Sequence, residues 1–143
     1  MKIILLLLSV IAGAAIATQS QINGSLGKKI GVLEGSFISF AVGTLILFFF
    51  VLFFGKGNLL LAFEVPKWQL VGGILGALYL SISVLAVPKI GVASTLIAVV
   101  IGQVVVSTVI DHFGLFGGTR FPIDGLKLIA ILLMLVSIYL FNK

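Results

Sequence analysis

Residues 12–29 read AGAAIATQSQINGSLGKK, and the chain changes character in the middle of them. The first half completes an apolar run that begins at Ile3. The second half turns polar, with Gln19, Gln21 and Asn23 within five positions. Lys2, a leucine-rich run and the triplet AIA before Thr18 have the layout of a cleavable secretory leader. The competing reading is a membrane helix that stays in place and carries amides at its far end.

Composition weighs on the second side. Of 143 residues 61% are hydrophobic and 9% charged, and the mean hydropathy is +1.37. A soluble domain is about a quarter charged, and four acids with nine bases cannot coat one. The sequence reads as an integral membrane protein. Cleavage after Ala17 would still leave a polytopic chain, and such chains commonly keep their first helix as the insertion signal. The segment is therefore expected to be a retained helix, without a cleaved signal peptide.

Several chemistries drop out. The sequence has no cysteine, which removes disulfides, thiolate nucleophiles and cysteine metal sites. One histidine builds no metal centre, so neither metal nor cofactor is expected. The net charge of +5 comes from scattered bases rather than a basic run. It argues for snorkelling anchors at the membrane edge, not for a nucleic-acid partner.

A spanning helix needs about 20 apolar residues at 1.5 Å each. Five segments meet that length or come close to it: 3–22, 32–53, 68–87, 92–111 and 125–141, the last slightly short. They form a single five-helix transmembrane domain over 1–143. Trp68 is placed as an interfacial anchor. The join between the third and fourth segments is only PKIG, which predicts antiparallel neighbours, with Pro88 stopping one helix and Gly91 allowing the reversal. An odd number of spans puts the termini on opposite sides. Lys2, Lys56, Lys67, Arg120 and Lys127 then share one side, and Lys28, Lys29, Lys89 and Lys143 the other. Five against four is almost no orientation bias. Such balance suits a chain that inserts both ways and assembles as an antiparallel homodimer, a ten-helix inverted-repeat transporter.

Seventeen glycines call for a packing account, because in lipid helices associate through close approach at small residues. Gly35, Ser39 and Gly43 form one stripe on the second helix. Gly72 and Gly76 form one on the third, and Ser94, Ala98 and Gly102 one on the fourth. The first helix carries Ser9, Gly13 and Ala17, with Ser20 and Gly24 slightly rotated. The fifth has almost none, which places it at the periphery of a bundle of the first four.

Some polar residues ask for more than packing. Thr95, Gln103, Ser107 and Asp111 recur at four- and eight-residue intervals on the fourth helix and share a face. Gln103 lies about 18 Å into that helix, near mid-bilayer, where an amide must find a partner in protein, water or ligand. One use is an inter-helix hydrogen bond that glues the bundle; the other is a substrate path. Gln19 and Asn23 share a face of the first helix. Glu34 and Asp111 are acids near helix ends, which an antiparallel dimer would bring to equivalent cavity mouths. An enzyme is not expected: Asp111 and His112 are sequence neighbours with no paired nucleophile. No internal repeat is convincing, so a second copy would have to supply the inverted half.

The stretch GVASTLIAVVIGQVVVSTVIDHFGLFG, 91–117, together with the early QSQINGSLGKK, resembles the small five-helix YdcZ-like proteins, a branch of the bacterial drug/metabolite transporter superfamily. The resemblance covers essentially the whole chain. It implies a half-transporter in the bacterial inner membrane. Such units occur as single genes, as oppositely oriented pairs or as ten-helix fusions, and members with balanced charge are taken to form dual-topology homodimers. Gln19, Asn23, Gln103, Asp111, His112 and Gly114 match family motif positions. Four-helix cousins use a glutamate in helix one to bind cations and protons. This chain has no acid there, so the resemblance does not carry over cation/proton exchange.

The expected function is secondary transport of a small molecule by alternating access, with an inverted copy of the chain as partner. Gln103, Ser107, Gln19, Asn23 and Thr95 would line the path, with Glu34 and Asp111 at its mouths. The alternatives are a non-transporting scaffold or assembly subunit, or half of an obligate heterodimer.

Overall fold

The computed structural model of the chain describes residues 2–141 and 143. Among the described residues it is helix and turn: α1 (Lys2–Ile30), α2 (Val32–Phe54), α3 (Val71–Ile90), α4 (Val92–Phe113) and α5 (Gly125–Phe141). Short 3₁₀ turns occupy Leu59–Phe63, Lys67–Leu70 and Leu115–Gly117. The first four helices are long and apolar enough to cross a membrane, the third counted with its leading turn from Lys67. The 17 residues of α5 reach about 25 Å, short of a hydrocarbon thickness of about 30 Å.

Two helix boundaries differ from the sequence expectation. The polar turn after Ile22 does not end α1, which continues as helix to Ile30. No proline interrupts it, Lys28 and Lys29 in its last turn complement the helix dipole, and the glycines that weaken a helix in water serve here as contact surface. Asn23 is consequently inside the helix and buried. Pro88 does not stop α3, which runs on to Ile90 with the proline inside it. Placed in the last turn, the ring removes a single backbone bond. Its Cδ lies 3.4 Å from where a Cβ on Gly24 would stand, so Gly24 makes the room it needs.

The chain divides into two compact units, α1–α3 and α4–α5. In the α1–α3 unit the close approach is concentrated at one end. A Cβ on Gly35 of α2 would sit 3.1 Å from the Gly27 backbone of α1. A Cβ on Gly27 would overlap Val84 Cγ1 of α3, and one on Gly24 would stand 2.9 Å from Val87 Cγ1. All buried residues of these helices lie in this band: Ser20, Asn23, Gly24 and Gly27; Gly35 and Ser36; Leu80, Ser83, Val84 and Val87. Beyond it the large apolar side chains point outward, as a helix surface in lipid allows. In the α4–α5 unit the fifth helix packs on the fourth, with Met134 and Ser137 facing Leu96, Ile97, Val100 and Ile101 across an apolar cavity of about 280 Å³.

A repeat that the sequence reading did not find convincing is present. Every buried position of α3 is a buried position of α1 plus 60: 20, 23, 24 and 27 against 80, 83, 84 and 87. The tetrapeptide KIGV occurs at 29–32 and again at 89–92. Its glycine takes nearly the same backbone both times, Gly31 at φ 108, ψ 152 and Gly91 at φ 84, ψ 162. One residue thus joins α1 to α2, and one joins α3 to α4. The contacts are reciprocal: Gly24 meets Val87 while Gly27 meets Val84, the pattern of an isologous interface formed inside one chain. The repeat escaped notice because its halves differ in residue type, glycines in α1 standing opposite valines in α3.

Close approach at Gly27 can be measured. Gly27→Ala is expected to destabilise the detergent-solubilised protein by about 1–3 kcal/mol, read from loss of helical circular dichroism on denaturant titration, and Val84→Ala in the same chain should restore part of the loss. Gly13→Ala, where a Cβ meets nothing within 4 Å, should change stability little.

Candidate functional site

The α4 face expected to carry chemistry is split by the structure. Thr95 is buried, and its hydroxyl donates to the Gly91 carbonyl at 2.7 Å, tying down the first turn of α4. Gln103, Ser107 and Asp111 are exposed on the isolated chain. The Ser107 hydroxyl returns to the Val104 carbonyl at 3.1 Å. The Gln103 carboxamide, near the middle of α4, has no hydrogen bond among the described residues.

On α1 Gln19 and Asn23 behave differently. Gln19 faces a cavity of about 330 Å³ inside the α1–α3 unit. Ser39 and Thr44 of α2 and Tyr79 of α3 supply its other polar walls, with Phe40, Gly43 and Gly76 between them. Asn23, one turn on from Gln19, is buried, and its Nδ2 has no hydrogen-bond partner. Ser83, one turn on from Tyr79, is also buried, with its Oγ unpaired. Asn23 and Ser83 occupy equivalent positions of the two repeats. The amides of α1 and the single amide of α4 belong to different units.

The acids stand at helix ends. Glu34 lies in the first turn of α2, where a carboxylate suits the positive end of the helix dipole. It folds back onto Gly31, so a Cβ on Gly31 would overlap its Oε2. The small residues expected to pack are mixed in their surroundings. Gly35 is in tight contact, and a Cβ on Gly76 would touch Phe40 at 3.4 Å. Ser39 lines the cavity. A Cβ on Gly43, Gly72 or Gly102 would meet nothing within 4 Å, and Ala98 is exposed.

The stretch IDHFG ends α4 in a clasp. Four carbonyls at a helix C-terminus lack intrahelical partners, and here the capping glycine and the returning chain meet three of them. The Gly114 amide, at φ 63, donates to the Ile110 carbonyl. The Phe121 amide donates to the Asp111 carbonyl at 2.8 Å, and Arg120 Nε to the Phe113 carbonyl at 3.2 Å. The Ile123 amide donates to His112 Nδ1 at 3.1 Å, which fixes the imidazole proton on Nε2. A Cβ on Gly114 would stand 2.7 Å from Arg120 Cγ, so glycine alone fits under the arginine. Asp124 then starts α5, accepting from the Lys127 amide at 2.8 Å, an N-cap geometry worth about 1 kcal/mol. Lys127 Nζ reaches back to the Pro122 carbonyl at 2.8 Å.

Sequence reasoning missed Thr44, Tyr79 and Ser83 as polar groups of the α1–α3 unit, and Arg120 and Asp124 as the closers of the α4–α5 connection. Arg120 and Asp124 had a local signal. A lone arginine beyond a helix-ending glycine suits the negative end of that helix, and an aspartate immediately before an apolar run is an N-cap. Thr44 and Tyr79 had none, since only the crossing of three helices brings them together.

Compared with known proteins, residues 4–140 match the family described as "Putative inner membrane exporter, YdcZ". No curated protein and no solved structure matches the chain.

The clasp predicts a local effect. His112→Ala removes the acceptor of the Ile123 amide, and loss of about 1 kcal/mol of hydrogen bonding should speed hydrogen exchange at that amide about fivefold. Exchange in α2 should not change.

Proposed function

The chain belongs to the YdcZ family of inner-membrane exporters, and on that premise we propose that it is a secondary transporter of a small molecule, working by alternating access as an antiparallel dual-topology homodimer in the bacterial inner membrane. The observation that carries this reading is Gln103. Its carboxamide is exposed and unpaired about halfway along an apolar helix, and a bare amide in hydrocarbon costs roughly 2 kcal/mol or more. An inverted copy laid against this face would take the amide out of lipid and give it a polar path to line.

Other features support the same reading. Gly72 and Gly102 have open space over them in the single chain, which is what a close-packing partner helix requires. The bases divide five to four between the two sides of a five-span topology, leaving orientation unbiased. In the proposed dimer Gln103 and Ser107 line the path with Gln19, Asn23 and Thr95, while Glu34 and Asp111 stand at its ends. Two inverted copies make the inward- and outward-facing states equivalent, so switching costs no net free energy. The α5 helix completes the fifth span by tilting little and drawing the bilayer in. In this reading α1 is retained: the helix is continuous through Ala17 and Thr18, and its last turns hold the contacts with α2 and α3.

Two measurements test it. Gln103→Ala should lower transport in reconstituted vesicles at least tenfold while insertion and dimerisation persist; loss of the dimer instead would assign the amide to assembly. A reporter fused to the C-terminus should be found in comparable amounts on both sides of the membrane, and a one-sided signal would overturn the antiparallel homodimer.

A further inference from the structure

We infer that the cavity of the α1–α3 unit is a binding site for an uncharged planar solute bearing a carboxamide or a similar paired donor and acceptor. The inference rests on the transporter reading only in calling that solute cargo. The cavity has a volume of about 330 Å³, at the small end of ligand sites, and is open, with Gln19 and Thr44 exposed. It lies about halfway along α2 and α3, at Gly43 and Tyr79, a level that a membrane-spanning placement of these helices puts away from bulk water.

Four lining residues carry hydrogen-bonding side chains: the Gln19 carboxamide, the Ser39 and Thr44 hydroxyls and the Tyr79 phenol. Several helical hydroxyls elsewhere in the chain are spent on their own backbone, Ser36 on Val32, Thr95 on Gly91 and Thr108 on Val104. None of the four cavity groups is hydrogen-bonded among the described residues. One turn along α1 and α3 from Gln19 and Tyr79 stand Asn23 and Ser83, each more than nine-tenths buried with an atom that has no partner. Groups of this kind are retained at such depth when something pairs with them.

The chemistry of the lining selects the class. All four groups both donate and accept, and no Asp, Glu, Lys or Arg lines the cavity. A cation would find no carboxylate and an anion no fixed positive charge, so either would be desolvated without compensation. An uncharged group with a donor beside an acceptor satisfies the Gln19 carboxamide in both senses. Phe40 and Tyr79 give aromatic walls for a flat ring. Gly43 leaves the space open, since a Cβ there meets nothing within 4 Å.

Benzamide, benzamidine and benzoate share a shape and differ in charge, and they make the test. Equilibrium dialysis of each against the purified full-length protein in detergent is expected to show saturable binding of benzamide and at least tenfold weaker binding of the cation and the anion. Gly43→Leu, which fills the cavity, and Tyr79→Phe, which removes one hydroxyl, should weaken benzamide binding about tenfold and about threefold. Gly13→Leu, at another open position, should not weaken it, and circular dichroism should show all three variants folded. Equal binding of the three compounds, no binding of benzamide, or unaltered binding to folded Gly43→Leu would overturn the inference. A Gln103→Ala protein that still transports while these binding results hold would sink the transport path and leave the site standing. The reverse pattern would do the opposite.

Discussion

The α1–α3 unit depends on the absence of a side chain at Gly27. Hydrocarbon gives apolar helices no reason to leave lipid for one another, so contact must come from surfaces that fit more closely than acyl chains can. Gly27 lets the α2 backbone approach at Gly35 and lets Val84 of α3 into the same gap. Because that gap lies nearly three turns beyond Ala17, where the continuous apolar run of α1 ends, the helix has to continue through the polar stretch that looked like its end. The burial of Asn23 follows from the same requirement. A polar residue is carried into the packed band because its neighbour Gly24 is needed there.

What the sequence revealed, and what it hid, follow from that geometry. Hydropathy and length located all five helices, since a run of 20 apolar residues has few other uses. The ends were harder to place. QSQINGSLGKK is polar by composition, and only its three-dimensional neighbours make it an interior surface. Pro88 is a stop signal in isolation, and the ring is accommodated only because Gly24 stands opposite. Of the small-residue stripes, spacing alone did not distinguish Gly35, which touches another backbone, from Gly43 and Gly102, which touch nothing in the chain. The 60-residue repeat was hidden by its own chemistry, because complementary partners in a reciprocal contact must differ, glycine against valine.

The polar residues of the helices fall into two groups with different physical standing. Thr95, Ser36 and the residues of the IDHFG clasp spend their hydrogen bonds on backbone and hold helix ends in place. Gln19, Gln103, Tyr79, Asn23 and Ser83 do not. Motif likeness mixed the two, since the resemblance read from the sequence set His112 and Gly114 beside Gln103. In the structure His112 and Gly114 close a turn, while Gln103 stays unpaired.

The single-residue joint at Gly31 bears on how this chain tolerates change. Connections between helices are ordinarily where length varies most freely. Here the backbone ladder runs through the joint, Gly31 donating to Gly27 and Gly35 to Gly31, so no slack exists to absorb an extra residue. One insertion would turn α2 by about 100° about its axis and carry Gly35 off the α1 surface. The variable positions of this fold should therefore lie in the 55–66 and 115–123 connections, and the shortest loops should be the most conservative in length.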